Sequence, residues 1–395
     1  MDLRFTEEEE AFRAELREWF SRVLPTLPPE PDRFDWPARR QFDKDWQRRL
    51  YDAGYAGINW PKEYGGRGAT PAEDLIFQEE NERAHAPYVG HSFVGLLHAG
   101  PTLIAEATPE QKAFHLPGIL TGDHVWCQGF SEPGAGSDLA GLRTKAVRDG
   151  DHYVVSGQKI WTSFAHTADF CELLVRTDPD VPKHRGISWL ICPMDLPGIE
   201  IRPLRTMEGS TEFCEVFFDD VRVPVANRVG AENDGWRVTM VTLSFERGTA
   251  LVSELLQAIE LNRHLIAMAR TITSNGATKW DDAGLRRELG HLAAELDALW
   301  SLTKRNVAQA QRTGMPGVGG NVFKIGYAEV LHRLGESAMR LLDRASLSIE
   351  DIGDLPNGRH VFGRIHGLSM SIAAGTSQVQ RNIVAERVLG LPKER

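Results

Sequence analysis

Four short segments combine residue types that could do chemistry. The first runs Trp126-Cys127-Gln128-Gly129-Phe130-Ser131-Glu132-Pro133-Gly134-Ala135-Gly136-Ser137-Asp138. Its glycines let the backbone approach a ligand closely and present N–H groups to it; the same string also reads as a plain turn. The second, Gly157-Gln158-Lys159-Ile160-Trp161-Thr162-Ser163, closes a β-rich run. There an indole could pack on a planar ring while hydroxyls bond its polar edge, or the tryptophan could simply fill a core. The third, Ala374-Gly375-Thr376-Ser377-Gln378-Val379-Gln380-Arg381, opens a helix. The first N–H groups of that helix could face a phosphate or carbonyl oxygen, or Thr376 could serve as an ordinary N-cap. The fourth is Leu243-Ser244-Phe245-Glu246-Arg247. Glu246 shares a helix face with Leu243 and Ala250, and burial there would raise its pKa toward that of a useful base. A solvated glutamate beside an arginine is the plainer alternative.

The elements that must position these segments fall into three stretches. The first, 1–122, reads as an N-terminal helical domain. Thr6 and Glu9 form a capping box, and Phe12, Leu16 and Phe20 follow at helical spacing. Further helical patterns lie near 38–53, 72–88, 91–106 and 109–116, broken by the loop Asn59-Trp60-Pro61-Lys62-Glu63-Tyr64-Gly65-Gly66. The second stretch, 123–233, carries short β-branched and aromatic runs at 152–162, 170–176, 187–193 and 213–224. Turn signals at Asp149-Gly150 and Pro197-Gly198 separate them, as in a small antiparallel β domain. In the third, 234–395, amphipathic segments at 234–272, 282–313, 320–347 and 361–388 predict a four-helix bundle. The fold class is therefore α+β, with the layout α–β–α.

A net charge of −10 argues against general nucleic-acid binding. It also requires any polyanionic ligand to meet a local basic or helix-terminal site. Cys127, Cys171, Cys192 and Cys214 have neither CxxC nor metal-ligand spacing, so reduced, partly buried thiols are expected and no metal. The start MDLRFTEEEEAF lacks the features of a signal peptide, and no apolar run approaches a membrane span. A cytoplasmic protein with no membrane partner is expected. His91, His98 and His166 show no ligand spacing and are given no role.

Taken together, in this order and on these elements, the segments resemble the acyl-CoA dehydrogenase family. The resemblance spans nearly the whole chain and includes Asn59-Trp60-Pro61, Tyr64-Gly65-Gly66, the Phe213 to Pro224 run, Gly230, Asn233, Gly235, Trp236 and the closing Gly375-Thr376-Ser377-Gln378. It implies an FAD-dependent enzyme that oxidises an acyl-CoA thioester to its enoyl product and passes electrons to an electron-transfer flavoprotein. By that resemblance Gln128, Phe130 and Ser131 contact the flavin ring, as do Trp161 and Ser163. Gly136 and Ser137 lie near the pyrophosphate and the pantetheine arm of the substrate, while Thr376 and Gln378 reach the adenine half of FAD.

Many family members carry the α-proton base as a glutamate just before the closing Gly-Thr-Ser, and here that position is Ala374. A smaller set carries it in a Glu-Arg pair early in the bundle, which Glu246-Arg247 matches. The resemblance thus implies Glu246 as base, hydride transfer from Cβ to flavin N5, Arg247 near the substrate and the Ala374 N–H as an oxyanion donor. Two family motifs that reach a neighbour's FAD are missing from Ala269–Gly276 and Leu347–Asp354. The pattern is similar to the paired α2β2 enzymes of actinobacterial steroid side-chain degradation, implying a homologous second subunit and a branched or steroid acyl group. A homotetrameric medium or branched-chain fatty acyl-CoA dehydrogenase, with Arg270 as a substitute contact, is one alternative. An oxygen-using oxidase or monooxygenase of the same fold is a second, and a non-catalytic subunit completing a partner's FAD site is a third.

Overall fold

The computed structural model describes residues 5–245, 251–274, 276–313, 319–352 and 357–393. Its helices are α1 (Glu7–Val23), α2 (Trp36–Asp52), α3 (Pro71–Arg83), α4 (Gly100–Glu106), α5 (Pro109–Thr121), α6 (Gly235–Phe245), α7 (Val252–Thr271), α8 (Ala283–Thr313), α9 (Gly319–Leu342), α10 (Asn357–Gly367) and α11 (Ser377–Ile383). The chain divides into two compact units. One comprises residues 1–20, 71–85 and 247–395; the other comprises 21–70 and 86–246.

Helix starts follow local chemistry. Thr6 and Glu9 close the expected capping box before α1, with Thr6 N–H on Glu9 Oε2 at 2.8 Å and Glu9 N–H on Thr6 Oγ1 at 3.2 Å. Asp35 accepts the Ala38 N–H at the head of α2, and Thr108 with Gln111 boxes α5. In the first unit α8 buries Leu285, Leu289, Leu292, Leu296 and Leu299, the alternating four-and-three spacing of a single helix face. These leucines pack with Leu255 and Leu265 of α7 and Phe323, Tyr327 and Leu334 of α9 into one core.

The second unit is built on a sheet of strands β1 (Trp126–Gly129), β2 (Lys145–Asp149), β3 (His152–Ser163), β4 (Phe170–Arg176), β5 (Ile187–Pro193), β6 (Ile199–Pro203), β7 (Phe213–Pro224) and β8 (Arg228–Val229). Its order is β6-β7-β3-β2-β4-β5-β8, antiparallel along most of that path, with β1 joining β4 in parallel. Tyr153, Val155, Leu173, Val175, Leu190, Val216, Phe218 and Val221 form its core. Register also places Cys127, Cys171 and Cys192 side by side on β1, β4 and β5, and all four cysteines are free and buried.

Two helical expectations need correction. The segment 361–388 is not one helix: α10 ends at Gly367, and Ala374 and Gly375 both take positive φ (52° and 82°) before α11 begins. A right-handed helix cannot pass through two such residues. The pattern at 91–106 is likewise broken, into a short 3-10 turn, a π-helical turn at Gly95–Ala99 and α4.

Candidate functional site

The glycine-rich segment leaves the sheet at the end of β1 and is pinned by one buried carboxylate. Glu132 accepts hydrogen bonds from the Arg143 N–H at 2.6 Å, the Thr144 N–H at 2.8 Å and Lys159 Nζ at 2.9 Å. Lys159 Nζ also donates to the Phe130 carbonyl at 3.0 Å, and the Ile160 N–H donates to the Ser131 carbonyl at 3.0 Å. The loop and strand β3 are therefore tied together at three points. Burial alone would raise the Glu132 pKa, but the Lys159 charge and the hydrogen bonds from Thr144, Lys159 and Arg143 outweigh it and hold the group below the usual carboxylate range. Burial pushes Lys159 down, and Glu132 opposes that shift.

Strand β3 starts as an ordinary half-buried strand, with Tyr153 and Val155 inward. Its pairing with β7 then slips twice, between Val155 and Gly157 and between Lys159 and Thr162. Bulges of this kind re-aim side chains and concentrate near active sites. The second one contains Trp161 at φ 62°, which leaves its indole 57% exposed and meeting the Phe213 ring edge-on.

The structure thus brings Phe130 and Ser131 up against the strand that carries Trp161 and Ser163. Ser131 and Ser163 are half-buried, and their hydroxyls make no hydrogen bond among the described residues. A Cβ added at Gly134 or Gly136 would meet nothing within 4 Å, so the chain's own packing does not require glycine there. An exposed indole, two uncommitted hydroxyls and an open glycine loop fit a large planar ring with a polar edge and a phosphate tail. These residues therefore suit FAD. Ser137 is exposed beside Asp138, which pairs with Lys183 at 2.7 Å. The Gln128 amide nitrogen donates to Glu172 Oε1 at 2.8 Å and lies 3.2 Å from His98 Nδ1.

In the other unit Ala374 is exposed, and its N–H makes no hydrogen bond among the described residues. Gln380 Nε2 holds the turn by donating to the Ala374 carbonyl at 3.1 Å and the Gly375 carbonyl at 3.4 Å. Asn321 in turn fixes Gln380 Oε1 at 2.5 Å. Thr376 caps α11 through the Val379 N–H at 3.2 Å, and Gln378 is exposed. Glu246 and Arg247 lie outside the described residues. Among the described residues no group of acidic, histidine or cysteine side chains could hold a metal ion.

Sequence reasoning missed Glu132, Lys159, Glu172, His98 and Gln380. The one signal available was Lys159, a cation at an inward position of a β-rich run, which demands a buried partner.

Three family models match in sequence along the chain: the acyl-CoA dehydrogenase N-terminal domain over residues 6–123, the middle domain over 127–221 and the C-terminal domain over 233–389. Acyl-CoA dehydrogenase IpdE1 of Mycobacterium tuberculosis is 40% identical over 391 residues, 98% of this chain and 98% of that protein. The chain belongs to the acyl-CoA dehydrogenase family. Among solved structures, the Tcur3481-Tcur3483 steroid ACAD is 35% identical with TM-score 0.85, covering 100% of both chains. The ChsE4-ChsE5 complex from Mycobacterium tuberculosis is 36% identical with TM-score 0.86, again covering 100% of both. As an acyl-CoA dehydrogenase, the chain is an FAD-dependent oxidoreductase acting on acyl-CoA. Among the described residues no helix is long and apolar enough to cross a membrane.

Proposed function

We propose that this enzyme introduces a Cα–Cβ double bond into a branched or steroid side-chain acyl-CoA, with Glu246 as the base. The carrying observation is the docking of the glycine loop onto β3 by Glu132 and Lys159, which supports reading Ser131, Trp161 and Ser163 as one platform for the flavin ring. FAD, when bound, supplies the acceptor for the hydride leaving Cβ. Glu246 removes the α-proton, and the Ala374 N–H donates to the thioester oxygen as charge develops there. Ser137 and Arg247 hold the substrate, and Gln128, Phe130, Gly136, Thr376 and Gln378 complete the cofactor contacts. Ala373 and Ala374 are small and exposed, which supports a bulky or α-branched acyl group, as does similarity to a protein described as a steroid ACAD.

A homologous partner subunit completes the cofactor site in this reading, and an electron-transfer flavoprotein takes the electrons. Supporting it, Arg270 is engaged with the chain's own Trp280, its guanidinium 4.9 Å from the ring centroid, rather than held out. The segment lacking the second motif also exposes apolar side chains, Leu347 at 88% and Ile349 at 59%. Neighbouring exposed aliphatic groups in one segment favour a surface that a partner covers. The relevant experiment measures bound FAD and native mass for the chain alone and with a co-expressed homologous subunit. A flavin-poor lone chain and a pair with about one FAD per two chains support the split site. A lone tetramer with one FAD per chain removes the partner. Straight-chain thioesters turned over far faster than branched or steroid ones would remove the roomy site.

A further inference from the structure

Gln128 lies on β1 directly opposite Glu172 of β4 in the parallel register. Its amide nitrogen donates to Glu172 Oε1 at 2.8 Å and lies 3.2 Å from Nδ1 of His98. Glu172 is fully buried and His98 nearly so. A carboxylate oxygen accepting at that distance must face the NH2 end of an amide, never its oxygen. The same nitrogen contacts Nδ1 of His98, which the π-helical turn Gly95–Ala99 presents and which also lies 3.6 Å from Glu172 Oε1. Such turns are rare and recur at functional sites. With one hydrogen on Glu172 Oε1, the amide cannot turn over without setting oxygen against oxygen. Its own Oε1 is left with no hydrogen-bond partner among the described residues, on a side chain that is only half-buried.

We propose that Glu172 and His98 fix the amide of Gln128 so that Oε1 stands as a directed hydrogen-bond acceptor for a donor on the bound ligand. The donor is an N–H or O–H group, supplied either by the flavin ring or by a hydroxyl on the acyl chain. This deepens the functional reading above and rests on it. Glu172 and His98 act as positioning residues and Gln128 as the contacting one. A tie that served only to hold the π-helical turn to the sheet would leave ligand binding untouched when Oε1 was removed.

The test uses the flavin-loaded enzyme, with its partner if loading requires one, in the unaltered form and as Gln128→Leu and Glu172→Gln. Glu172→Gln keeps the volume but lets either end of the Gln128 amide face position 172. Three quantities are read: FAD affinity, the visible spectrum without substrate, and kcat and KM for two acyl-CoA thioesters that differ by one hydroxyl. If the flavin is the donor, Gln128→Leu weakens FAD roughly 3- to 10-fold, the size of one net hydrogen bond, and shifts the spectrum. If the acyl group is the donor, KM rises by that factor for the hydroxylated thioester only. Glu172→Gln gives the same change in weaker form. Should both variants keep FAD affinity, spectrum and thioester ratio while losing thermal stability, the tie is structural and the proposal fails. An unaltered enzyme without FAD or turnover would instead defeat the functional reading, and the proposal with it.

Discussion

Lys159 Nζ lies 2.9 Å from Glu132 Oε1, and the two side chains are 0% and 8% exposed. Breaking a buried pair by removing one partner strands the other charge, at a cost of about 3–5 kcal/mol. Lys159→Met therefore lowers unfolding stability by that order and frees the loop at Phe130. Chemical denaturation and FAD release measured together check this. Lys159→Met combined with Glu132→Gln should recover part of the loss, because no uncompensated charge remains.

Two buried histidines make mild acid destabilising. Burial lowers the pKa of His115 to about 4, aided by the nearby His124, and does the same for His360, aided by His264 and Arg359. An unfolded histidine takes its proton near 6.5. Between those values the unfolded chain holds more protons, so stability falls as pH drops from about 6.5 toward 4 and is full above that window. Melting temperatures across that range should decline, and His360→Leu should flatten part of the decline. A melting temperature constant down to pH about 4.5 would contradict both assignments.

The proposed base gives a separable phenotype. Glu246→Gln should retain FAD at the unaltered stoichiometry while turnover falls by about two to four orders of magnitude, the range of a general base. Flavin absorbance and steady-state assays on the same sample decide it, and near-normal turnover would move the base elsewhere.

The proposed flavin-facing role of Trp161 predicts a loss of FAD binding at little cost to the fold. Its indole is exposed, so Trp161→Ala should change the stability of the flavin-free protein by less than about 1 kcal/mol. FAD affinity should fall clearly in the same variant. Equal losses in both would mean that the indole packs against the protein rather than the cofactor.

How far a feature was legible depended on how far apart in sequence its parts lie. The Thr6–Glu9 box and the leucine face of α8 need only neighbours within one or two turns, and both could be read directly. The order of the glycine loop, the Trp161 segment and the closing Gly375-Thr376-Ser377 was enough to place the chain in its family, because composition and order are properties of the string. The helix start after Thr376 was legible as an N-cap, but the positive φ of Ala374 was not, since a non-glycine residue seldom takes it.

Strand register and packing decided the rest. Lys159 finds Glu132 at a separation of 27 residues and Gln128 finds Glu172 at 44, across pairings that a one-residue slip would destroy. His91 had no ligand spacing in the sequence, yet its Nδ1 meets Asp43 at 2.6 Å in the buried interior. The bulge between Lys159 and Thr162 exposes Trp161 where simple alternation along β3 gave no reason to expect it. A sequence determines which side chains are available and how they repeat. Only the folded sheet, by fixing which backbone hydrogen bonds form, decides which of them face one another.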